Sequence, residues 1–359
     1  MKTKKLLNLG LILAFALSMS IMGCKKDIEE IQTIPESGHN GVLKAGAVGT
    51  IVSSGTKING DYRAGVALNS SNSVTLKVIV TAIGTYNIAS NTVNGYSYAK
   101  SGTFTATGIQ YVTLPASGTP VATGINTFMV TFGTTCSFTV VVVSNVPIVQ
   151  TSCNISYTYY EVANQVTKKI WLDRNLGASR VAQSANDYQA YGSLYQWGRL
   201  ADNHQCITWT GPNAGTPVNG TTTTTSSSNT PGHSLFIKTT QSPWDWRVPQ
   251  NNNLWQGVTG INNPCPPGFR LPTSAEFTAE VNSWATKNTA GAFGSILKWT
   301  TAGYRDFPNG QIYQAGTIGG YWSSTISSTK ATALWFSASQ GYTVSDFRAV
   351  GYSVRCIKN

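Results

Sequence analysis

Charge is scarce in this chain of 359 residues, of which only 11% are Asp, Glu, Lys or Arg. That excludes a long solvated helix or coiled coil, while an apolar fraction of 41% excludes a disordered polypeptide. Histidine is scarcer still, at three residues. No basic run exceeds pairs such as Lys25-Lys26 and Lys168-Lys169, so the formal charge of +11 is no nucleic-acid footprint. Singly scattered cations leave only a mild pull toward anionic glycans. Beyond residue 22, no stretch approaches the roughly 18 apolar residues that span a bilayer. Tryptophan is missing between residues 42 and 147, and all ten copies fall after residue 150.

What is present begins with an address. Lys2, Lys4 and Lys5 precede the apolar run Leu6 to Met22, which ends in Ile21-Met22-Gly23-Cys24. A charged start, an apolar middle and a small residue before the cut make a secretory signal over residues 1–23. The tetrapeptide resembles the bacterial lipobox, which implies that Cys24 is acylated and anchors the chain in a membrane by several acyl chains. Removing the signal leaves 22 Lys and Arg against 14 Asp and Glu, a net +8. Residues 24–41, opening Lys25-Lys26-Asp27-Ile28-Glu29-Glu30, read as a flexible tether. The acidic cluster looks like the surface-export signal of Bacteroidota lipoproteins. The implied location is the outer membrane, with display at the cell surface and the periplasmic face as the alternative.

Residues 42–147 are dominated by Val, Thr, Ile and Gly. Val74–Val80, Thr103–Thr107, Gln110–Leu114, Asn126–Phe132 and Ser137–Val143 alternate like strands between Asn-Gly, Ser-Gly and Thr-Gly turns. Short strands at this spacing predict an antiparallel sandwich of immunoglobulin type, similar to the Ig-like modules of Bacteroidota surface proteins. Only Asp61 is acidic here and the single thiol is Cys136, so the half reads as a spacer.

The arrival of tryptophan marks a boundary between Ser144 and Ser152, where Pro147 interrupts the last strand. Beyond it, Tyr188, Tyr191, Leu194, Tyr195 and Trp197 predict one helix. Phe277, Val281 and Trp284 predict another, opened by the capping box Thr273-Ser274-Ala275-Glu276. Strands are expected at Ile170–Leu172, Leu297–Thr301, Leu334–Ser337 and Tyr352–Ile357, giving an α+β domain over residues 153–359. Residues 211–232, with five Thr and three Ser in succession, read as a mobile insertion.

Six ordered motifs carry a resemblance: Trp171-Leu-Asp-Arg-Asn-Leu-Gly-Ala178, Tyr191-Gly-Ser-Leu-Tyr-Gln-Trp-Gly-Arg199, Cys265-Pro-Pro-Gly-Phe-Arg-Leu-Pro-Thr273, Ala302-Gly-Tyr-Arg-Asp306, Gly320-Tyr-Trp-Ser-Ser-Thr325 and Arg348-Ala-Val-Gly-Tyr-Ser-Val-Arg-Cys356. Together they resemble the Fibrobacter succinogenes major paralogous domain family. That family is similar to the fold group of C-type lectin-like domains and the formylglycine-generating enzyme. The resemblance implies a lectin-like α+β fold, leaves activity undefined, and implies a bridge between Cys265 and Cys356, as lectin-like folds tie this region to the last strand. Of the remaining exported thiols, Cys136 with Cys153 would staple the junction and leave Cys206 odd; Cys153 with Cys206 is the alternative.

Catalytic groups are thin. His204-Gln-Cys206 offers two metal ligands in a loop, too few for a site. Glu276 and Glu280 share one helix face, expected to be solvated, and are not opposed across a cleft. The closely spaced cysteine pair of formylglycine-generating enzymes and the Glu-Pro-Asn or Trp-Asn-Asp residues of calcium-dependent lectins do not occur. No catalytic residue, metal or cofactor is assigned, and no enzymatic activity is expected.

Trp244, Trp246, Arg247 and Trp255 form the candidate ligand site, since exposed indoles stack on sugar rings and Arg reaches hydroxyls. The competing reading makes Trp246 and Trp255 core pegs. Trp171, Trp197, Trp322 and Trp335 are expected in the core. The expected function is a lipid-anchored adhesion or binding protein for glycan or a surface protein; the alternatives are a carbohydrate-active or modifying enzyme and a structural envelope protein.

Overall fold

The computed structural model describes residues 46–359. The signal peptide, Cys24 and the tether lie outside the described residues. The chain is β-rich, with 44% in strands and 6% in helices, as the alternating segments required.

Strands β1 (Val48–Asn59), β2 (Ser73–Ala82), β3 (Gly84–Ala89), β4 (Tyr96–Phe104) and β5 (Gly108–Gly118) form an antiparallel sheet in the order β1-β2-β5-β4-β3. β6 (Gly124–Phe132) and β7 (Thr134–Val142) form a separate hairpin. Period-two burial is plain in β2, where Val74, Leu76, Val78 and Val80 are buried while Thr75 and Lys77 are more exposed. The core is aromatic, with Tyr98 packed edge-on against Phe128 and Phe138 at 5.0 and 5.2 Å. Gly133 turns β6 into β7 at φ +68°, and a Cβ there would collide with the Gly49 carbonyl.

Beyond Pro147, β8 (Ile148–Ser152) and β9 (Ile155–Tyr159) pair as a hairpin, followed by the hairpin of β10 (Glu161–Asn164) and β11 (Lys169–Leu172). The β10–β11 turn docks on β7. The Gln165 amide donates to the Val141 carbonyl at 2.8 Å and accepts from its N–H at 2.9 Å, as a strand would. Lys168 donates to the Thr139 carbonyl, and burial lowers its pKa to about 8. Glu161 accepts from the Ser144 N–H and pairs with Lys358 at 2.6 Å. The two halves therefore meet through a built contact.

In the second half, β11 pairs with Ile357–Lys358, which pairs with Phe269–Arg270, so its beginning and end share one sheet. A meander of Gly319–Ser327, Lys330–Phe336 and Gly341–Asp346 lies against α1 (Ser274–Ser283), and α2 (Thr289–Gly294) follows α1. The capping box at α1 forms: Thr273 Oγ1 accepts from Glu276 N at 3.2 Å, and Glu276 accepts from Thr273 N at 2.9 Å.

Several expectations fail. The helix expected over Tyr188–Trp197 is a single 3-10 turn, Tyr188–Ala190, and a two-residue strand, Tyr195–Gln196. Tyr191, Leu194, Tyr195 and Trp197 are buried, but so is Gln196, so Tyr191–Trp197 is enclosed on all sides. Its backbone bonds outward, Ser193 N to Leu176 O and Leu194 N to Gln205 O. Leu297–Thr301 is not a strand, and Tyr352–Ile357 contributes only the ends of two short strands, Gly351–Tyr352 and Ile357–Lys358. Residues 211–232, expected as a mobile insertion, carry short paired segments. Ile207–Gly211 pairs with Ala214–Pro217, and Thr221–Thr222 pairs in parallel with Phe236–Ile237. The hydroxyls that suggested disorder cap local turns, as when Ser226 Oγ accepts from Ser228 N.

A fold with this much loop is held by buried arginines. Arg199, Arg305, Arg348 and Arg355, all from the ordered motifs, are at most 1% exposed, and each guanidinium lies over an aromatic ring: Trp246, Phe236, Trp197 and Trp299 respectively. Arg305 donates to three backbone carbonyls, Gly310, His204 and Asn219. A planar fork of five donors satisfies loop carbonyls that no strand partner reaches.

Among the described residues, the disulfides Cys265–Cys356 and Cys153–Cys206 staple the same loops. The second corrects the expected Cys136–Cys153 staple and the odd Cys206. Cys136 faces the first core, while Cys153 sits at the β8–β9 turn with φ +53° and points to Cys206.

Candidate functional site

The segment Trp244-Asp-Trp-Arg247 points its side chains in different directions. Trp246 is fully buried, and its indole N–H donates to the Trp197 carbonyl at 2.7 Å. Trp255 is also fully buried, donates to Asn262 O at 2.8 Å and packs on Trp197. Neither ring can reach a ligand, so both are withdrawn from the candidate site; indoles that anchor a long loop must bury both face and N–H. Asp245 is also buried, accepting from the Gln250 amide at 2.9 Å and the Arg247 N–H at 3.1 Å. Burial raises its pKa, outweighing those hydrogen bonds and the charge of Arg348, whose Nη1 is 3.7 Å away.

Trp244 differs. It is half-buried, held at φ +56° by a turn in which its N–H donates to Gln241 O at 2.9 Å. Its ring lies 4.6 Å from that of Phe347, which is 5.5 Å from Phe307, and all three are partly exposed. The Lys330 ammonium sits 4.0 Å over the Phe347 ring. Arg247 is half-buried, with Nη1 on the Pro249 carbonyl and Nε without a hydrogen-bond partner among the described residues. The sequence reading missed Phe307 and Phe347, although each adjoins a motif, Phe307 following Asp306 and Phe347 preceding Arg348. Trp335, expected in the core, is half-exposed and packs on the exposed Tyr342 at 5.5 Å.

Acidic groups border the row. Asp346 accepts from the Tyr352 hydroxyl at 2.7 Å and from the Phe347 N–H. Burial and, to a lesser degree, the charge of Asp346 raise the pKa of Asp306, against the pull of a backbone hydrogen bond from Phe307.

Chain neighbours of the row, Gln241, Ser242 and Pro308, border a cavity of about 380 Å³ that none of the three rings lines. Backbone bonds tie it to the aromatics: Thr239 N donates to Phe307 O, and Gln241 O accepts from Trp244 N. Val248 N donates to Ser226 O, drawing the threonine-rich segment in as the opposite wall. Thr223, Thr225, Thr240, Gln241, Ser242 and Lys238 face this cavity, whose lining contains no carboxylate.

The groups weighed for catalysis are engaged elsewhere. Cys206 is in a disulfide. His204 is fully buried, with Nδ1 2.7 Å from Asp202 and Nε2 accepting from the Gln196 N–H at 3.1 Å. Burial, then the charge of Arg199, lower its pKa to about 3. Glu276 and Glu280 do not lie on a solvated face. Glu280 is fully buried and accepts from Asn164, Trp284 and Trp299, and Glu276 is clamped by both Arg270 nitrogens. Among the described residues, no three His, Cys, Asp or Glu groups stand where they could share a metal ion.

No protein-family model, curated protein or solved structure matches this chain. The site must speak for itself.

Proposed function

We propose that this chain is a lipid-anchored binding protein of the outer membrane, displayed at the cell surface, that holds glycan on the row Trp244, Phe347 and Phe307. In this reading the first half is an Ig-like spacer. The second is a lectin-like domain of the Fibrobacter succinogenes major paralogous type. The carrying observation is a partly exposed aromatic row whose backbone is bonded to Thr239 and Gln241, two residues of a hydroxyl- and amide-lined cavity. Aromatic faces match the C–H faces of pyranose rings, and polar groups at the edge orient the hydroxyls. The contact between Gln165 and Val141 supports a rigid spacer, since a free joint would need no such bonds.

The test is a glycan array probed with residues 42–359 and with its Trp244→Ala variant. Binding that Trp244→Ala abolishes without changing the melting temperature supports the reading. A wild-type protein that binds no glycan, or a variant that binds as well, removes it.

A further inference from the structure

We infer that the cavity beside Trp244 selects saccharides bearing an anionic ring substituent, a carboxylate or a sulfate, and that Lys238 is the residue that reads it. This inference rests on the glycan-binding reading and narrows it.

Of the nine residues that line the cavity, Val248 and Pro308 are apolar and the Thr239 hydroxyl is bonded to the Gln241 backbone, which leaves six polar side chains. Nearby hydroxyls of the threonine- and serine-rich segment cap local turns, as those of Thr222, Ser226 and Ser228 do. Thr223, Thr225, Thr240, Gln241 and Ser242 make no such bond with any described residue, yet all border one concavity. Lys238 is the single charged residue in the lining. Other lysines of this half are committed: Lys169 to Glu276, Lys358 to Glu161, Lys287 to Asn282, and Lys330 to the Phe347 ring. Lys238 has no ion pair or side-chain hydrogen bond among the described residues.

Its backbone is fixed nonetheless. Lys238 N donates to Thr222 O at 2.8 Å, immediately after the parallel pairing of Ile237 with Thr222, so the ammonium is presented from a held strand end. The lining offers no carboxylate to neutralise it, and the net charge after signal removal is positive. One uncommitted cation among hydroxyls and an amide, beside an aromatic platform, complements a sugar that carries one negative group and several hydroxyls.

The test uses the full-length chain in detergent micelles and titration calorimetry with four probes: an oligogalacturonate, its carboxyl-reduced counterpart, a sulfated galactan oligosaccharide and its desulfated form. At least one anionic probe is expected to bind ten-fold or more tightly than its neutral counterpart. Lys238→Gln should erase that ratio with neutral-probe affinity and melting temperature unchanged, and Lys238→Arg should keep it. Equal affinity within both pairs, or a ratio that survives Lys238→Gln, overturns the inference while leaving the glycan reading intact. Binding to none of the four, together with a blank array, removes both.

Discussion

Arg355 grips Asn175 with two donors: its Nε and Nη2 lie 3.0 and 2.8 Å from Asn175 Oδ1. Both residues are buried, and Nη1 adds the Leu297 carbonyl at 2.8 Å. The Asn175 amide in turn donates to Tyr191 O and Thr300 Oγ1, so one pair ties four segments together. Burial, the first influence on Arg355, lowers its pKa to about 10, which still leaves it charged at neutral pH.

Arg355→Met keeps the stem but leaves those acceptors unpaired. Leaving a buried neutral acceptor unpaired costs about 1–3 kcal/mol, and here the Asn175 and Leu297 oxygens both lose their donor. The melting temperature should fall by roughly 10 °C. A fall of less than about 2 °C would show that the loops hold without the guanidinium.

Trp246→Ala and Trp255→Ala should each destabilise the protein by about 3–5 kcal/mol, since both rings are fully buried and bonded through their N–H. Trp244→Ala should cost far less. Chemical denaturation of the three variants checks the order, and equal losses would contradict the half-exposed placement of Trp244.

Acid should destabilise the fold through His204. The folded pKa of about 3 lies below the ordinary 6.5, so its contribution is fully present above pH 6.5 and is lost as pH falls toward 3. The geometry gives the reason: Nε2 accepts from the Gln196 N–H, and a proton there would face another proton. One such group contributes a slope of roughly 1.4 kcal/mol per pH unit in that window. Unfolding free energies measured from pH 7 to 4 should show that slope shrink by one proton in His204→Gln. An unchanged slope would assign it to other groups.

Glu276 acts in a lower window. Burial alone would raise its carboxyl, but the Arg270 hydrogen bonds, the Thr273 N–H, the Arg270 charge and Lys169 bring it down to about 2. Its contribution is present above pH 4.5 and lost as pH falls toward 2. Glu276→Gln should flatten stability between those values and fray the start of α1, read by amide exchange at Thr273–Phe277.

Cys265→Ala with Cys356→Ala opens a loop with a sequence separation of 91, and Cys153→Ala with Cys206→Ala one of 53. Each pair should cost about 4 kcal/mol in the chain-entropy account. Peptide mapping without reductant should recover both bridges; a Cys136–Cys153 peptide would contradict the structure.

Local chemistry was legible in the amino-acid sequence by itself. The strands of β2, β5, β6 and β7 follow from period-two alternation, which needs one core face and nothing more. The start of α1 follows from Thr273 and Glu276, whose bonds close within four residues. Tertiary structure decided the rest. Tyr188–Trp197 has a helical period, but Tyr191–Trp197 is enclosed on every side, and its backbone bonds to other segments at Leu176 and Gln205. Residues 211–232 have the composition of a linker, yet Thr221–Thr222 pairs with Phe236–Ile237 and Ser226 bridges to Arg247. Glu280 reads as a surface carboxylate until Asn164, Trp284 and Trp299 close over it. The row of Trp244, Phe347 and Phe307 joins residues a hundred positions apart, a proximity set by packing and by no local pattern.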